Sequence, residues 1–268
     1  MIINAQKGKY AIGSFNTSDM EITKAIISAA EALKSPVIIA TSEKAIEYAG
    51  LETIAAMISK EAQKATVPVA LHLDHGKTIT MVEKCLQAGY TSVMLDGSGF
   101  NLVDNEILTR QAVEMAHAQD VPCEGELGFL GKAGKNPGEL TNPDDVLEFV
   151  KTTGVDFLAV SIGSKHGIDE NEALDIDLLK KINSLTGVPL VLHGASGVPE
   201  QDIKKAIENG ICKINIDTDI RHTFSDAIYS ISNTQNLNDP RDIMTKVMSE
   251  IQKVVEEKIK LFGSNNKI

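Results

Sequence analysis

The chain has 268 residues, 43% apolar and 24% charged, with a net charge of −11. So acidic a protein is not built for non-specific binding to nucleic acid or to anionic membranes, and no apolar run reaches the roughly 18 residues of a membrane span. The length suits one domain, residues 1–268, large enough to bury its own core without disulfides.

The N-terminal residues MIINAQKGKYAIGSFN lack the sustained apolar stretch of a secretory signal. Cys85, Cys123 and Cys212 are odd in number and widely spread, each in an apolar stretch, and read as buried thiols. A cytoplasmic protein is the expectation.

In chain order, short β-branched runs alternate with amphipathic stretches. Strands are predicted over 10–16, 37–40, 69–74, 92–96, 121–127, 157–161, 190–193 and 213–217. Most are apolar nearly throughout, as parallel strands covered by helices are. Between them, residues 21–33 place Ile22, Ala25, Ile26 and Ala29 at helical spacing on one face. Asn142-Pro143-Asp144-Asp145 reads as a capped helix start. Pro199-Glu200 opens another helix that closes at Asn209-Gly210. Residues 239–262 add one or two helices beyond the eighth unit. Eight strand–helix alternations point to the α/β class, a (β/α)8 TIM barrel with extra C-terminal helices.

In such a barrel the chemistry stands at the C-terminal ends of the strands. The third predicted strand ends His72-Leu73-Asp74-His75-Gly76, with residues 72 and 74 on one face. The sixth leads to Lys165-His166-Gly167 and the seventh to His193-Gly194-Ala195-Ser196-Gly197. Three of the six histidines thus fall at the barrel mouth, each followed by Gly, whereas His117 and His222 fall on surface helices. Three imidazoles with one open position form the ligand set of a catalytic zinc. The following Gly lets the backbone come close to metal or substrate.

The carboxylates divide. Asp96 and Asp219 suit either a helix cap or turn, or a functional role. Asp74, next to a proposed ligand, is placed to move protons. Glu126 suits a metal ligand, a partner that orients a ligand, or a buried acid paired to a lysine. Lys165 lies near the mouth and reads as a loop residue. The Gly-rich turn 193–197 and the segment Asn215-Ile216-Asp217-Thr218 follow the last two strands, where barrels frequently bind phosphate.

With these strings in place, the sequence resembles the class II fructose-bisphosphate and tagatose-bisphosphate aldolases. The likeness runs from about Lys9 to the end. It rests on Ser14-Phe15-Asn16, residues 72–76, 92–98, Glu126-Leu127-Gly128, 163–167, 190–197 and 213–218. The resemblance implies that His75, His166 and His193 bind zinc and that Asp74 is the acid/base for the C4 hydroxyl. Asp96 and Glu126 match positions of a second or displaced metal. Gly167, Gly194, Ser196, Asp217 and Thr218 match the cradle for the phosphate of dihydroxyacetone phosphate, and Asn215 lies beside the substrate carbons. Asn16 and Ser42 match positions near the other substrate half. The carbonyls of Gly167 and Gly194 match a site for a monovalent cation, Na+ or K+. The implied reaction is cleavage of a phosphorylated ketose at C3–C4, with zinc as the Lewis acid that stabilises the enediolate. A homodimer or homotetramer is expected, with Arg241 a candidate to reach a neighbouring subunit's site.

One segment departs from the family. After the fifth strand the family reads Gly-Gly and an acidic pair. Here residues 128–139 are short, carry Lys132 and Lys135, and lack that pair, leaving Glu139 as a possible substitute. An aldolase for a ketose 1-phosphate with a different C6 group, such as a deoxy-keto-gluconate phosphate or a sulfofructose phosphate, is therefore a second reading. A barrel zinc hydrolase is a third, disfavoured because the first strand ends Ser14-Phe15-Asn16 rather than in a His-x-His pair. An inactive partner subunit is a fourth, disfavoured by the complete histidine set.

Overall fold

The computed structural model describes residues 1–168, 173–234 and 237–268. Eight of its strands form one parallel sheet: β1 (Ile12–Asn16), β2 (Val37–Ser42), β3 (Val69–Asp74), β4 (Val93–Leu95), β5 (Cys123–Leu127), β8 (Phe157–Val160), β10 (Leu190–Leu192) and β11 (Ile211–Ile216). Their order is β3-β2-β1-β11-β10-β8-β5-β4. Parallel bridges His72–Ser92 and Gly76–Leu95 join the two edges and close the ring. The predicted TIM barrel is the observed architecture.

Two predicted strands start later than their apolar runs. The first begins at Ile12, because the Ala11 N–H is taken by the Phe262 carbonyl at 3.0 Å. The fifth begins at Cys123, just after Pro122, which has no N–H for a ladder.

The helices on the outside are α2 (Met20–Ala32), α3 (Glu43–Ala49), α4 (Leu51–Lys64), α5 (Ile79–Gln87), α6 (Leu102–His117), α7 (Pro143–Thr153), α8 (Ile176–Leu185), α9 (Glu200–Glu208) and α10 (Thr218–Thr234). Their ends follow local chemistry. Asn142 caps α7 ahead of Pro143, and Gly154 in the left-handed region ends it. The segment after the barrel proper is a single long helix, α11 (Pro240–Phe262), capped by Asp239. A short helix, α1 (Ile2–Gly8), was not apparent from the sequence. Its Ala5 and Ile2 pack under Tyr10, Ile12 and Ile38, stopping the bottom of the barrel.

Alternation along each strand sorts the side chains. Leu71, Leu73, Ile214 and Ile216 face the helices and belong to the main core. Met94, Phe157, Ala159 and Val191 fill the interior. His72, Asp74, Glu124, Glu126, Lys213 and Asn215 share that inward phase, so the barrel axis turns polar towards its C-terminal mouth.

A second, three-stranded sheet covers part of that mouth. The loop after β5 forms an antiparallel hairpin of β6 (Phe129–Lys132) and β7 (Asn136–Glu139). β6 pairs in parallel with β9 (Lys165–His166).

Candidate active site

Asp74 ends β3 inside the mouth and is 5% exposed. Both of its oxygens are held by amides. Asn16 Nδ2 donates to Oδ2 at 2.8 Å, and Asn215 Nδ2 donates to Oδ1 at 2.9 Å. The next residue, His75, has φ 51, a left-handed conformation that folds its ring back over the strand end. Gly76 then passes so close to β4 that an added Cβ would stand 2.6 Å from the Met94 carbonyl.

Two histidines point one nitrogen each at Asp74. Nε2 of His75 is 4.0 Å from Asp74 Oδ1, and Nδ1 of His193 is 3.7 Å from the same oxygen. Each ring is anchored from behind by a carboxylate. His75 Nδ1 is 2.8 Å from Asp96 Oδ2, and His193 Nε2 is 2.7 Å from Glu124 Oε1. A proton on each anchored nitrogen leaves a lone pair aimed into the mouth. Accordingly, His75 Nε2 is buried without a hydrogen-bond partner. His166 stands beside this pair, its ring edge-on to His75 with centroids 5.0 Å apart.

This donor set suits a divalent cation. Among the described residues, Asp74, His75 and His193 form one group with converging ligand atoms, and His75, Asp96 and Glu126 form another. Glu126 Oε2, buried and without a hydrogen-bond partner, lies 3.4 Å from His75 Nδ1. Two imidazoles backed by carboxylates, with buried unpartnered atoms at His75 and Glu126, suit a borderline-soft metal, which binds such rings in their neutral form.

The charges are tightly coupled. Burial pushes the Asp74 carboxyl up, but the fields of His75, His193 and Lys213 and the Asn16 amide outweigh it and bring it to about 2. Burial depresses His75, while Asp74, Asp96 and Glu126 reverse this and raise it to about 9. Asp96, despite burial, is held well below the usual carboxylate range by His75 and Lys77, whose ammonium contacts it. Burial and the neighbouring Asp96 charge raise Glu126 to about 8. Burial, then the His75 charge, lower His166 to about 4, and His193 also lies well below the ordinary imidazole value.

Opposite these groups lies the predicted anion cradle. Gly194 adopts φ 65, and a Cβ there would meet the Lys165 carbonyl at 2.5 Å. The turn that follows carries Ser196, whose Oγ accepts the Asp219 N–H at 3.3 Å. That contact brings the turn against the N-terminus of α10, which begins at Thr218. Gly167, at φ 108, follows His166 on the same rim. Asp217 is paired to Arg221 at 2.9 Å.

Asp74, the three histidines, Asp96, Glu126, Asn215 and the cradle residues line one cleft of about 1150 Å³, together with Asn16, Ser42, Lys77, Phe129, Lys132, Lys135 and Tyr48. Ser42 also caps α3 by accepting the Ala45 N–H. Glu139, exposed on β7, is not among the lining residues.

Other residues singled out in the sequence have structural places. Asp219 is ion-paired to Lys258 at 2.7 Å. His117 is paired to Asp156 at 2.8 Å on the surface. All three cysteines are buried and free, and burial pushes Cys85 to about 12 and Cys212 to about 11. Sequence reasoning missed Glu124, Lys213 and His72 as members of the site. Their signal was parity: Glu124 shares the inward phase of Glu126, His72 that of Asp74, and Lys213 that of Asn215.

The comparisons agree with this geometry. The model of the family described as "Fructose-bisphosphate aldolase class-II" matches residues 1–267. A fructose-bisphosphate aldolase of Geobacillus stearothermophilus is 41% identical over 276 residues, covering 100% of this chain and 96% of that protein. A 6-phospho-5-dehydro-2-deoxy-D-gluconate aldolase of Shouchella clausii is 39% identical, covering 100% of this chain and 94% of its own length. The crystal structure of the YdjI aldolase from Escherichia coli K12 superposes with a TM-score of 0.91 at 37% identity, over 99% of this chain and 96% of that one. The chain belongs to the class II fructose-bisphosphate aldolase family.

Proposed function

We propose that this chain is a zinc-dependent ketose-bisphosphate aldolase that reversibly cleaves fructose 1,6-bisphosphate, or its C4 epimer tagatose 1,6-bisphosphate. The products are dihydroxyacetone phosphate and glyceraldehyde 3-phosphate. The observation that carries this reading is the Asp74 carboxylate. It is ionised down to about pH 2, held by the Asn16 and Asn215 amides, and faces two imidazole nitrogens.

His75, His193 and His166 would hold a zinc ion, which when bound would supply Lewis-acid polarisation of the substrate ketone. Asp96 and Glu126, beside His75, would provide the second, displaced cation position.

The residues then divide the work. Asp74 accepts the C4 hydroxyl proton in cleavage and returns it in condensation. As that proton leaves, the C3–C4 bond breaks; its electron pair stays on C3, conjugated with the C2 carbonyl, and C3 then takes a proton from water in the open cleft to give dihydroxyacetone phosphate while Asp74 gives its proton back to solvent. Asn215 fixes Asp74 and lies beside the carbon chain. The turn at Gly194 and Ser196, the start of α10 at Thr218, Asp217 and Gly167 hold the 1-phosphate through backbone N–H groups and hydroxyls. The carbonyls of Gly167 and Gly194 would hold a monovalent cation, Na+ or K+, beside it. Asn16 and Ser42 face the aldehyde half.

A second substrate reading has its own support. The hairpin over the mouth carries Lys132 and Lys135 instead of an acidic pair, and both line the cleft. This favours a ketose 1-phosphate with an anionic group of another kind at its far end, and a deoxygluconate-phosphate aldolase is among the relatives. Triose phosphate release from fructose and tagatose bisphosphates, 6-sulfo-fructose 1-phosphate and a deoxy-keto-gluconate phosphate separates the two. A larger kcat/KM for either bisphosphate supports the first reading, and a larger value for either of the others the second. Cleavage of none of the four would remove the aldolase reading.

A further inference from the structure

Glu124 and Lys213 lie inside the barrel, and the side chains of both are 0% exposed. Their register partners include Met94 and Phe157 for Glu124, and Ile12 and Val191 for Lys213. The pair is linked at 2.9 Å through Glu124 Oε2, with His72 Nε2 3.5 Å from the same oxygen. An ion pair in such surroundings adds little to stability, because desolvation of two charges offsets their attraction and an apolar pair of similar volume packs as well. Stability alone therefore does not account for these two residues.

What each of them touches does. Glu124 Oε1 is 2.7 Å from His193 Nε2. Lys213 Nζ donates to Asn215 Oδ1 at 2.7 Å, and Asn215 Nδ2 donates to Asp74 Oδ1 at 2.9 Å. Both routes end at one place, since His193 Nδ1 is 3.7 Å from that same Asp74 oxygen.

The polarity of the pair fixes every member of these routes. A carboxylate only accepts hydrogen bonds and an ammonium only donates them. The imidazole nitrogen against Glu124 must therefore carry the proton, which leaves the Nδ1 lone pair directed into the cleft. The Asn215 atom against Lys213 must be its oxygen, so the amide NH2 is turned to Asp74. Exchanging the two amide atoms would set NH2 against ammonium and carbonyl against carboxylate.

We propose that the Glu124–Lys213 pair is the positioning element of this site. Its acceptor half sets the tautomer of His193, and its donor half sets the orientation of the Asn215 amide on Asp74. The proposal rests on the aldolase reading above.

The test uses the full-length protein and the double variant Glu124→Gln/Lys213→Met, which removes both charges together. Three quantities are read. The first is the His193 tautomer, by histidine 15N NMR of the metal-stripped protein. The second is zinc Kd, by competition with a chromophoric chelator. The third is kcat and KM for ketose cleavage by the zinc-loaded enzyme. Wild type is expected to hold His193 wholly in the Nε2–H form. The double variant is expected to fold, show mixed tautomers, bind zinc roughly 10–100-fold more weakly, and lose kcat with KM little changed.

A mixed tautomer in wild type, or a folded double variant with wild-type zinc Kd and kcat, overturns the proposal. The wild-type tautomer decides the matter even if the double variant does not fold. A wild type that binds no zinc would defeat the metal reading separately, while the tautomer still decides whether Glu124 orients His193.

Discussion

Asn215 and Asp74 are 141 residues apart in sequence, yet the amide of one donates to the carboxylate of the other at 2.9 Å across the barrel. With Asn16 on the second oxygen, Asp74 is held in a single orientation and cannot swing away from the cleft. Its ionised state follows from its neighbours, since burial alone would neutralise it. In the proposed mechanism this held carboxylate, beside two imidazoles, is the acid/base. Asp74→Ala should therefore keep bound zinc and lose about 10²–10⁴-fold in kcat. Zinc content by mass spectrometry and steady-state kinetics check both halves. Unchanged kcat would remove Asp74 from the chemistry.

Metal removal separates this chemistry from a lysine Schiff base. The lysine deepest in the barrel, Lys213, is 0% exposed and committed to Glu124 and Asn215, so no substrate carbonyl can reach it. Chelation with EDTA should abolish cleavage, and zinc or cobalt should restore it. Borohydride with substrate should trap no lysine adduct. Full turnover by the metal-stripped protein, together with such an adduct, would sink the metal mechanism.

The nearness of His75, His166 and His193 was legible in the sequence because the barrel brings the segments that follow its strands into one place. They follow β3, β8 and β10. Glu124 and Lys213 were not found, although alternation alone places both inside. An acid in Cys-Glu-Gly-Glu and a lysine in an apolar strand look like local irregularities until the opposite walls of the barrel meet. The hairpin 129–139 was also missed as structure. Its turn residues, Gly134 and Asn136-Pro137-Gly138, are visible in the sequence, but its pairing with β9 is set by tertiary contact, the Ala133 N–H on the His166 carbonyl at 3.0 Å. The N-terminal helix went unseen for the same reason: it is short, and its place is fixed by the barrel floor it covers.

Metal loading should depend on pH with a definite sign. In the metal-free protein His75 is raised to about 9, because Asp74, Asp96 and Glu126 outweigh the burial that lowers it. An unfolded histidine titrates near 6.5. The raised value means this group stabilises the metal-free fold fully below about pH 6.5, and the contribution is lost as pH rises through about 9. A metal must displace that proton, so zinc affinity should rise about tenfold per pH unit between pH 6.5 and 9 and then level off. Chelator competition across that range reads the slope, and melting of the metal-free protein reads the opposite trend in stability. A flat affinity would show that His75 is already neutral before metal arrives.

The hairpin lysines test which substrate the aldehyde half takes. Lys132 and Lys135 flank the turn between β6 and β7 and line the cleft, while Glu139 does not. Lys132 sits on the strand that pairs with β9, opposite His166, so its backbone is fixed relative to the proposed metal ligand. A cation on a fixed strand attracts a distal anion with little ordering cost, and the interaction is partly screened because the mouth is open to water. Lys132→Ala/Lys135→Ala should therefore raise KM several-fold for a substrate with a phosphate, sulfonate or carboxylate at its far end. That is the loss of about one to two surface charge contacts, each worth about 0.2–1 kcal/mol. The change should shrink at high salt, and kcat should hold, because neither lysine approaches the C3–C4 bond in the proposed mechanism. The same double variant assayed with a ketose 1-phosphate lacking a distal anion should show wild-type KM. Equal KM for variant and wild type on the anionic substrate would make these lysines solvated residues of the rim.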